Sequence, residues 1–172
     1  MSRAVEVVRT YLELQTREQL RAAPVPDASV RFVRRDRITP QHYRRLYAAV
    51  GHRWHWRDRD AWSDEMLAAH LARSEIAVWE CLVGAESAGY FELEHSGDSV
   101  EIAYFGLAPD FIGRGLGKAM LTRAVQEAFA LGPVRVWLHT CTLDSPRALP
   151  NYLARGFTPT RRERYVAELT DD

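Results

Sequence analysis

The stretch Leu107-Ala108-Pro109-Asp110-Phe111-Ile112-Gly113-Arg114-Gly115-Leu116-Gly117-Lys118 constrains this chain more than any other. A β-prone apolar run over residues 99–107 leads into it. An amphipathic run with helical period over residues 115–131 leads out and stops at Gly132-Pro133. Glycines at 113, 115 and 117 open dihedrals closed to other residues and let a ligand approach the backbone. The free N–H groups of the helix start then converge on one spot, where the helix dipole favours an anion. Arg114 and Lys118 add positive charge. A pyrophosphate is the natural guest. A plain capping turn is the alternative, but three spaced glycines with two cations exceed what a cap needs.

Two common phosphate cradles do not fit. No Lys-Ser or Lys-Thr follows the glycines, so this is not a Walker loop. The turn also comes late in the chain, after a run of strands. A dinucleotide site needs a parallel β-α-β unit with an acidic residue about 20 positions on.

The elements around the turn set the fold class. Residues 75–83, 88–94 and 99–107 read as three strands joined by short polar turns, an antiparallel meander. After the glycine turn and its helix, residues 134–140 read as a strand. Ser145-Pro146 opens a helix ending at Gly156, and residues 157–169 give a last strand. Upstream, Thr39-Pro40 caps a helix running to about Val50, and Ser63 caps another ending near Arg73. Residues 29–34 alternate like a strand. The first 14 residues fit either period, with the β-prone valines favouring a strand. Thr16 and Gln19 make a capping box for a short helix, and residues 22–29, with two prolines, form a linker. The expected architecture is a mixed α/β (α+β) domain: a central, mostly antiparallel twisted sheet with helices on both faces. Residues 1–29 are expected as an extension packed on a single domain of residues 30–172.

Composition narrows the function. At 172 residues the chain suits one core. Lys+Arg and Asp+Glu both number 23, so the charge balance argues against a nucleic-acid partner. No apolar run approaches the ~20 residues that span a bilayer, and the start MSRAVEVV has no signal-peptide pattern. A cytoplasmic protein off the membrane is expected, with Cys81 and Cys141 as free thiols. Neither cysteine has metal-like spacing, so no metal is assigned.

At this point the sequence resembles the GNAT superfamily of N-acetyltransferases. Their signature, [Q/R]-x-x-G-x-[G/A], lies between a strand and a helix. Residues Ile112-Gly113-Arg114-Gly115-Leu116-Gly117 supply both glycines, with Ile112 standing where the family prefers Gln or Arg. A second family element, N-x-x-A-x-x-x-Y-x-x-x-G-F, is matched in spacing by Ser145, Ala148, Tyr152, Gly156 and Phe157, with Ser for Asn. The resemblance covers roughly residues 30–169 in element order. It implies acetyl-CoA or another acyl-CoA as co-substrate, with no metal. The pantetheine arm would bond to the backbone of Leu107 and Ala108, and the pyrophosphate would sit on the amides of residues 113–118, Leu116 among them. Asn151 could also bond the cofactor. Gly106 suggests a bulge where the ligand enters. Dimers are common in the family, so a homodimer is admitted.

Acyl transfer to an amine needs a base, because a free alkyl ammonium has a pKa of ~10. Glu101 matches a glutamate used as base in part of the family, six positions before the pantetheine-binding residue. Alternation alone also explains it as a solvent-face residue. Glu92 and Glu94 could join it in a carboxylate cluster that attracts an amine. His139 is a further candidate, and a packed strand histidine is its plainer reading. Tyr152 is the candidate acid, with core packing as the alternative. Pro150, inside the expected helix, would bend it and shift Tyr152.

The acceptor is less legible. Residues 54–62 hold three tryptophans, and Trp54 and Trp56 could stack on a ligand or anchor a lid. A small-molecule or amino-acid-like primary amine is the expected acceptor. A peptide N-terminus, or a non-catalytic acyl-CoA-binding module on the same fold, are the alternatives.

Overall fold

The computed structural model describes residues 2–170. Seven strands, β1 (Ser2–Leu14), β2 (Val30–Arg34), β3 (Ile76–Val83), β4 (Glu86–Ser96), β5 (Ser99–Leu107), β6 (Arg135–Cys141) and β7 (Thr158–Thr170), form one sheet in the order β2-β3-β4-β5-β6-β1-β7. The helices are α1 (Pro40–Gly51), α2 (Asp64–Leu71), α3 (Leu116–Ala130) and α4 (Ala148–Ala154). The sheet is antiparallel except at β5 and β6.

Local signals place these elements. Thr39 Oγ1 accepts from the His42 N–H at 3.1 Å with Pro40 behind it, so α1 starts there. Ser63 Oγ does the same for Met66 at 3.1 Å at the head of α2. Gly84 and Gly97 take positive φ in the tight turns of the β3–β4–β5 meander. Gln19 Oε1 accepts from the N–H groups of Gln15 and Thr16, fixing a single 3-10 turn after β1.

The sheet buries both faces. Ala77, Phe91 and Leu93 pack with Met120, Leu121 and Ala124 of α3. Their neighbours Ile76, Val78 and Tyr90 point the other way and pack with Tyr43, Leu46 and Val50 of α1 and Leu67 of α2. Helices therefore cover both faces. No helix among the described residues is long and apolar enough to cross a membrane. Cys81 and Cys141 are both free.

Residues 2–29 contribute a strand to the sheet itself. β1 lies inside the sheet, antiparallel to both β6 and β7. The following linker is tied down as well: Arg21 N–H donates to Arg155 O and Ala23 N–H to Thr122 Oγ1, both at 2.9 Å.

Two details differ from the sequence expectation. The bulge in β5 falls at Ala103, because Glu92 faces Tyr104 while Leu93 faces Ile102. Gly106 stays in register opposite Tyr90, and its hydrogen side chain makes room for Val50 of α1. The last helix begins at Ala148, after a turn in which Ala148 N–H donates to Ser145 O at 2.9 Å. Pro150 is then the third residue of α4, in the first turn, where a backbone N–H would have no intrahelical acceptor. Pro150 is therefore not in a helix interior, because the helix starts later than Ser145.

Candidate active site

β5 and β6 hold together only over Ser99–Glu101 against Arg135–Trp137. From Ile102 onward β5 runs alone on that side to Leu107, so its N–H and C=O groups face an opening in the sheet. A cleft of about 580 Å³ fills this opening. Its walls come from β5, the glycine turn, α4, the tip of β6, Arg9 and Tyr165 of β1 and β7, and the loop after α1.

One end is the glycine turn. Gly113 and Gly115 take φ of 84° and 78°, closed to most side chains, and α3 starts directly after Gly115. Ile112, Gly113, Gly115, Gly117 and Lys118 line the cleft with Leu107 from β5. A Cβ at Gly117 would fill the space 3.7 Å from Leu107 Cδ1 and 3.8 Å from Asn151 Nδ2. Three residues of the expected cradle lie away from the cleft. The Arg114 guanidinium stacks over the Phe111 ring at 5.0 Å, Leu116 is buried in the core, and Ala108 N–H donates to Ala88 O at 2.8 Å. Asn151 lines the cleft, but its Nδ2 donates to Gly117 O at 3.2 Å and so joins α4 to the head of α3. A cation that sequence reading passed over takes Arg114's place. The guanidinium of Arg147, before α4, lies against Gly113, 3.3 Å from where a Cβ would stand. Only the tertiary approach of α4 to the turn reveals it.

The other end is acidic and aromatic. Glu101 sits where β5 parts from β6, with its side chain 22% exposed. Burial, then the charges of Glu94 and Glu92, push its pKa up to about 7, against the pull of Arg59. His139 Nε2 lies 3.8 Å from Glu101 Oε1. Burial and then the charge of Arg9 lower the His139 pKa, so this is a carboxyl beside a neutral imidazole rather than an ion pair. Asp58 accepts from Tyr104 Oη at 3.1 Å, and Glu94 accepts from Arg73 at 3.2 Å. Both line the cleft.

Glu92 does not reach it. Its side chain is fully buried, gripped by Arg59 at 2.6 and 2.8 Å and by His70 at 3.0 Å. Burial raises its pKa, but the bonds and charge of Arg59 and the bond from His70 outweigh this and hold it at about 2. An ionised carboxylate so held is neither a base nor a free amine contact. Arg59 also bonds Tyr43 Oη and stacks over Tyr104 and Trp62 at 4.4 and 4.9 Å. The loop after α1 is thereby anchored. Trp62 packs on His70, and Trp56 packs among Tyr47, Tyr90 and Tyr104 while one edge meets the cleft. Trp54 lines the cleft beside Arg53. At the tip, His55 takes a left-handed φ of 59°.

Tyr152 is 5% exposed and packs edge-on against Phe105 and Phe157, yet it lines the cleft between the two ends. Burial, with Asp144 adding to it, pushes its pKa well up, so the phenol keeps its proton.

A cleft with a cationic, amide-rich turn at one end and a poised carboxylate at the other, joined by an open strand edge, can hold an anionic cofactor and deprotonate an amine. Comparisons with known proteins bear on the family and the fold. The sequence model of the acetyltransferase (GNAT) family matches residues 41–157. No curated protein matches the chain. Among solved structures, a GCN5-related N-acetyltransferase from Kribbella flavida superposes with a TM-score of 0.67 at 16% identity, covering 97% of this chain and 58% of its own. A second, from Sphaerobacter thermophilus, gives 0.66 at 16% identity, with 98% and 52% covered. An aminoglycoside acetyltransferase from an uncultured soil metagenomic sample, in complex with trehalose, gives 0.63 at 16% identity, with 75% and 88% covered. The chain spans a little over half the length of the first two, and at these identities the likeness is one of fold.

Proposed function

The chain belongs to the GNAT acetyltransferase family, and on that footing we propose that it transfers an acetyl group from acetyl-CoA to the primary amine of a small-molecule or amino-acid-like acceptor by direct attack. The observation that carries this is Glu101, a carboxyl raised to about 7, set where β5 parts from β6, with an open strand edge running from it to the glycine turn at the other end of the cleft.

Bound acetyl-CoA supplies an activated acetyl thioester, and the cleft fits it. The backbone of Gly113, Gly115, Gly117 and Lys118, with the Lys118 and Arg147 side chains, would hold the pyrophosphate, and the unpaired backbone of residues 102–107 would hold the pantetheine arm as an added strand. Arg147 supplies the charge that Ile112 lacks. Asp58 and Glu94 draw a cationic amine into the acidic end. Glu101, half-titrated near neutral pH, takes the proton that the amine must lose, and neutral His139 beside it orients the carboxylate or passes the proton to water. Tyr152 keeps its proton and donates a hydrogen bond to the departing sulfur. Its raised pKa, against ~8.5 for an ordinary thiol, makes full proton transfer uphill.

The test is calorimetric titration with acetyl-CoA followed by a turnover screen against an amine library. Acetyl-CoA binding that Gly115→Glu abolishes, with turnover of a subset of amines, is expected. Unchanged affinity in that variant would misplace the cradle, and binding without turnover of any amine would leave an acyl-CoA-binding module.

A further inference from the structure

Resting on the acyl-transfer reading, we infer that the acceptor carries a carboxylate as well as its amine, and that Arg9 of β1 receives it. Arg9 faces Cys141 on β6, Tyr11 faces His139, and Glu101 faces Trp137. Residues 137, 139 and 141 alternate along one strand, so Arg9 and Glu101 share one face of the sheet on opposite sides of β6. Strand spacing places them about 10 Å apart across the sheet and about 13 Å apart along it. Both line the cleft, with His139 between them. A molecule that touches both lies across His139, its amine toward Glu101 and its far end at Arg9.

Arg9 is set up for an anion that the protein itself does not provide. Among the described residues no carboxylate pairs with it. Glu163, its register partner on β7, is turned to Tyr11 Oη at 3.0 Å and Arg161 at 3.1 Å. The guanidinium's neighbours are phenols rather than carboxylates: it interacts with the Tyr11 hydroxyl, makes a long bond to Tyr165 Oη at 3.4 Å, and stacks on that ring at 5.0 Å. Its Nε is buried without a hydrogen-bond partner. A guanidinium has five donors in a planar fork that matches a carboxylate edge. The other buried guanidinium nitrogen without a partner, Arg155 Nε, lies outside the cleft.

The charge balance favours a carboxylate over a phosphate. At this end the other lining guanidinium, Arg59, is neutralised by Glu92, and burial keeps His139 uncharged. Arg9 is thus the lining guanidinium at this end that lacks a carboxylate partner among the described residues, and with Asp58, Glu94 and Asp144 also on the walls a monoanion is admitted more readily than a dianion. Arg9 also lies outside residues 41–157, the segment matched by the family.

The test measures acetyl-CoA-dependent turnover of α-, β- and γ-amino acids, each beside its carboxamide, by the full chain and its Arg9→Gln and Arg9→Lys variants. The wild type should show KM values at least about 30-fold lower for one class of acids than for its amides. Arg9→Gln should raise KM for those acids by a similar factor, with kcat within a few-fold and the amides unaffected, and Arg9→Lys should restore part of the preference. Equal use of acids and amides, or a preference that survives Arg9→Gln, overturns the inference. Titration of the N-acetyl amino acids into the protein with CoA reads carboxylate capture without chemistry. Binding should be lost in Arg9→Gln, and equal binding to both proteins overturns the inference. Failure of acetyl-CoA itself to bind overturns both readings, whereas acetyl-CoA binding with carboxylate-blind turnover overturns this one alone.

Discussion

At Glu101 the burial that suits a base also costs stability. Its folded pKa of about 7 lies above the ordinary ~4.3, so its contribution to stability is complete below the unfolded value and is lost as pH rises through 7. Glu101→Gln removes that loss. Thermal unfolding should find the variant more stable than the wild type at pH 8, by up to about 3 kcal/mol, and equal to it near pH 4. Catalysis should move the other way. The acidic limb of the wild-type kcat/KM profile should have its midpoint near 7, and Glu101→Gln should lose the limb together with about 100-fold or more of rate. A limb that persists would assign the base to another group. Tyr152→Phe should lower kcat by about 10-fold while CoA affinity stays near normal, because only a hydrogen bond to sulfur is lost; full activity would leave Tyr152 a packing role. Glu92 has the opposite linkage. Its pKa of about 2 means that its contribution is present above the unfolded value and lost as pH falls through 2. Glu92→Gln leaves Arg59 buried without its counter-charge and should cost about 3–5 kcal/mol at pH 7 in denaturant melts, narrowing below pH 4. Sequence alone could not separate the two glutamates. Both alternate along strands, and only the arrival of Arg59 from a loop 33 residues away makes one structural.

Among the elements, the turn between α4 and β7 carries a constraint invisible in the local pattern. Gly156 takes φ of 105°, and a Cβ there would overlap the carbonyl oxygen of Gln19 in the 3-10 turn after β1. The glycine therefore serves both a left-handed turn and the close approach of a distant segment. Gly156→Ala should lower stability by about 2–4 kcal/mol, seen as a drop in Tm; a change under about 0.5 kcal/mol would mean that the turn at Gln19 yields freely. The meander, the long α3 and the caps of α1 and α2 were legible because each is written in a short-range pattern: period two, period 3.6, or a Ser or Thr accepting from the third residue on. The start of α4 was not, because Ser145-Pro146 resembles a helix head while the chain uses it for a turn into the cleft. The bulge at Ala103 was hidden because register belongs to a pair of strands rather than to one.

In the whole molecule, β1 is what makes a residue count of strands into this particular sheet. It joins β7 to the rest, since among the described residues β7 has no other strand neighbour. Removing residues 1–14 leaves β7 unpaired and takes Arg9 from the cleft, so the truncated chain should show no cooperative thermal transition by circular dichroism. A cooperative melt would make β1 and β7 an accessory layer on a sheet stable without them. The sequence by itself determined the order and kind of the elements and the glycine turn at the head of α3, because periodicity, caps and a three-glycine turn act within a few residues. Tertiary structure decided which charges stayed free. Arg59 pairing with Glu92, Arg147 reaching Gly113, β5 parting from β6 at Glu101, and Arg9 arriving from the far strand all depend on the paths of segments distant in sequence, and a pKa or an ion pair is fixed only when those paths meet.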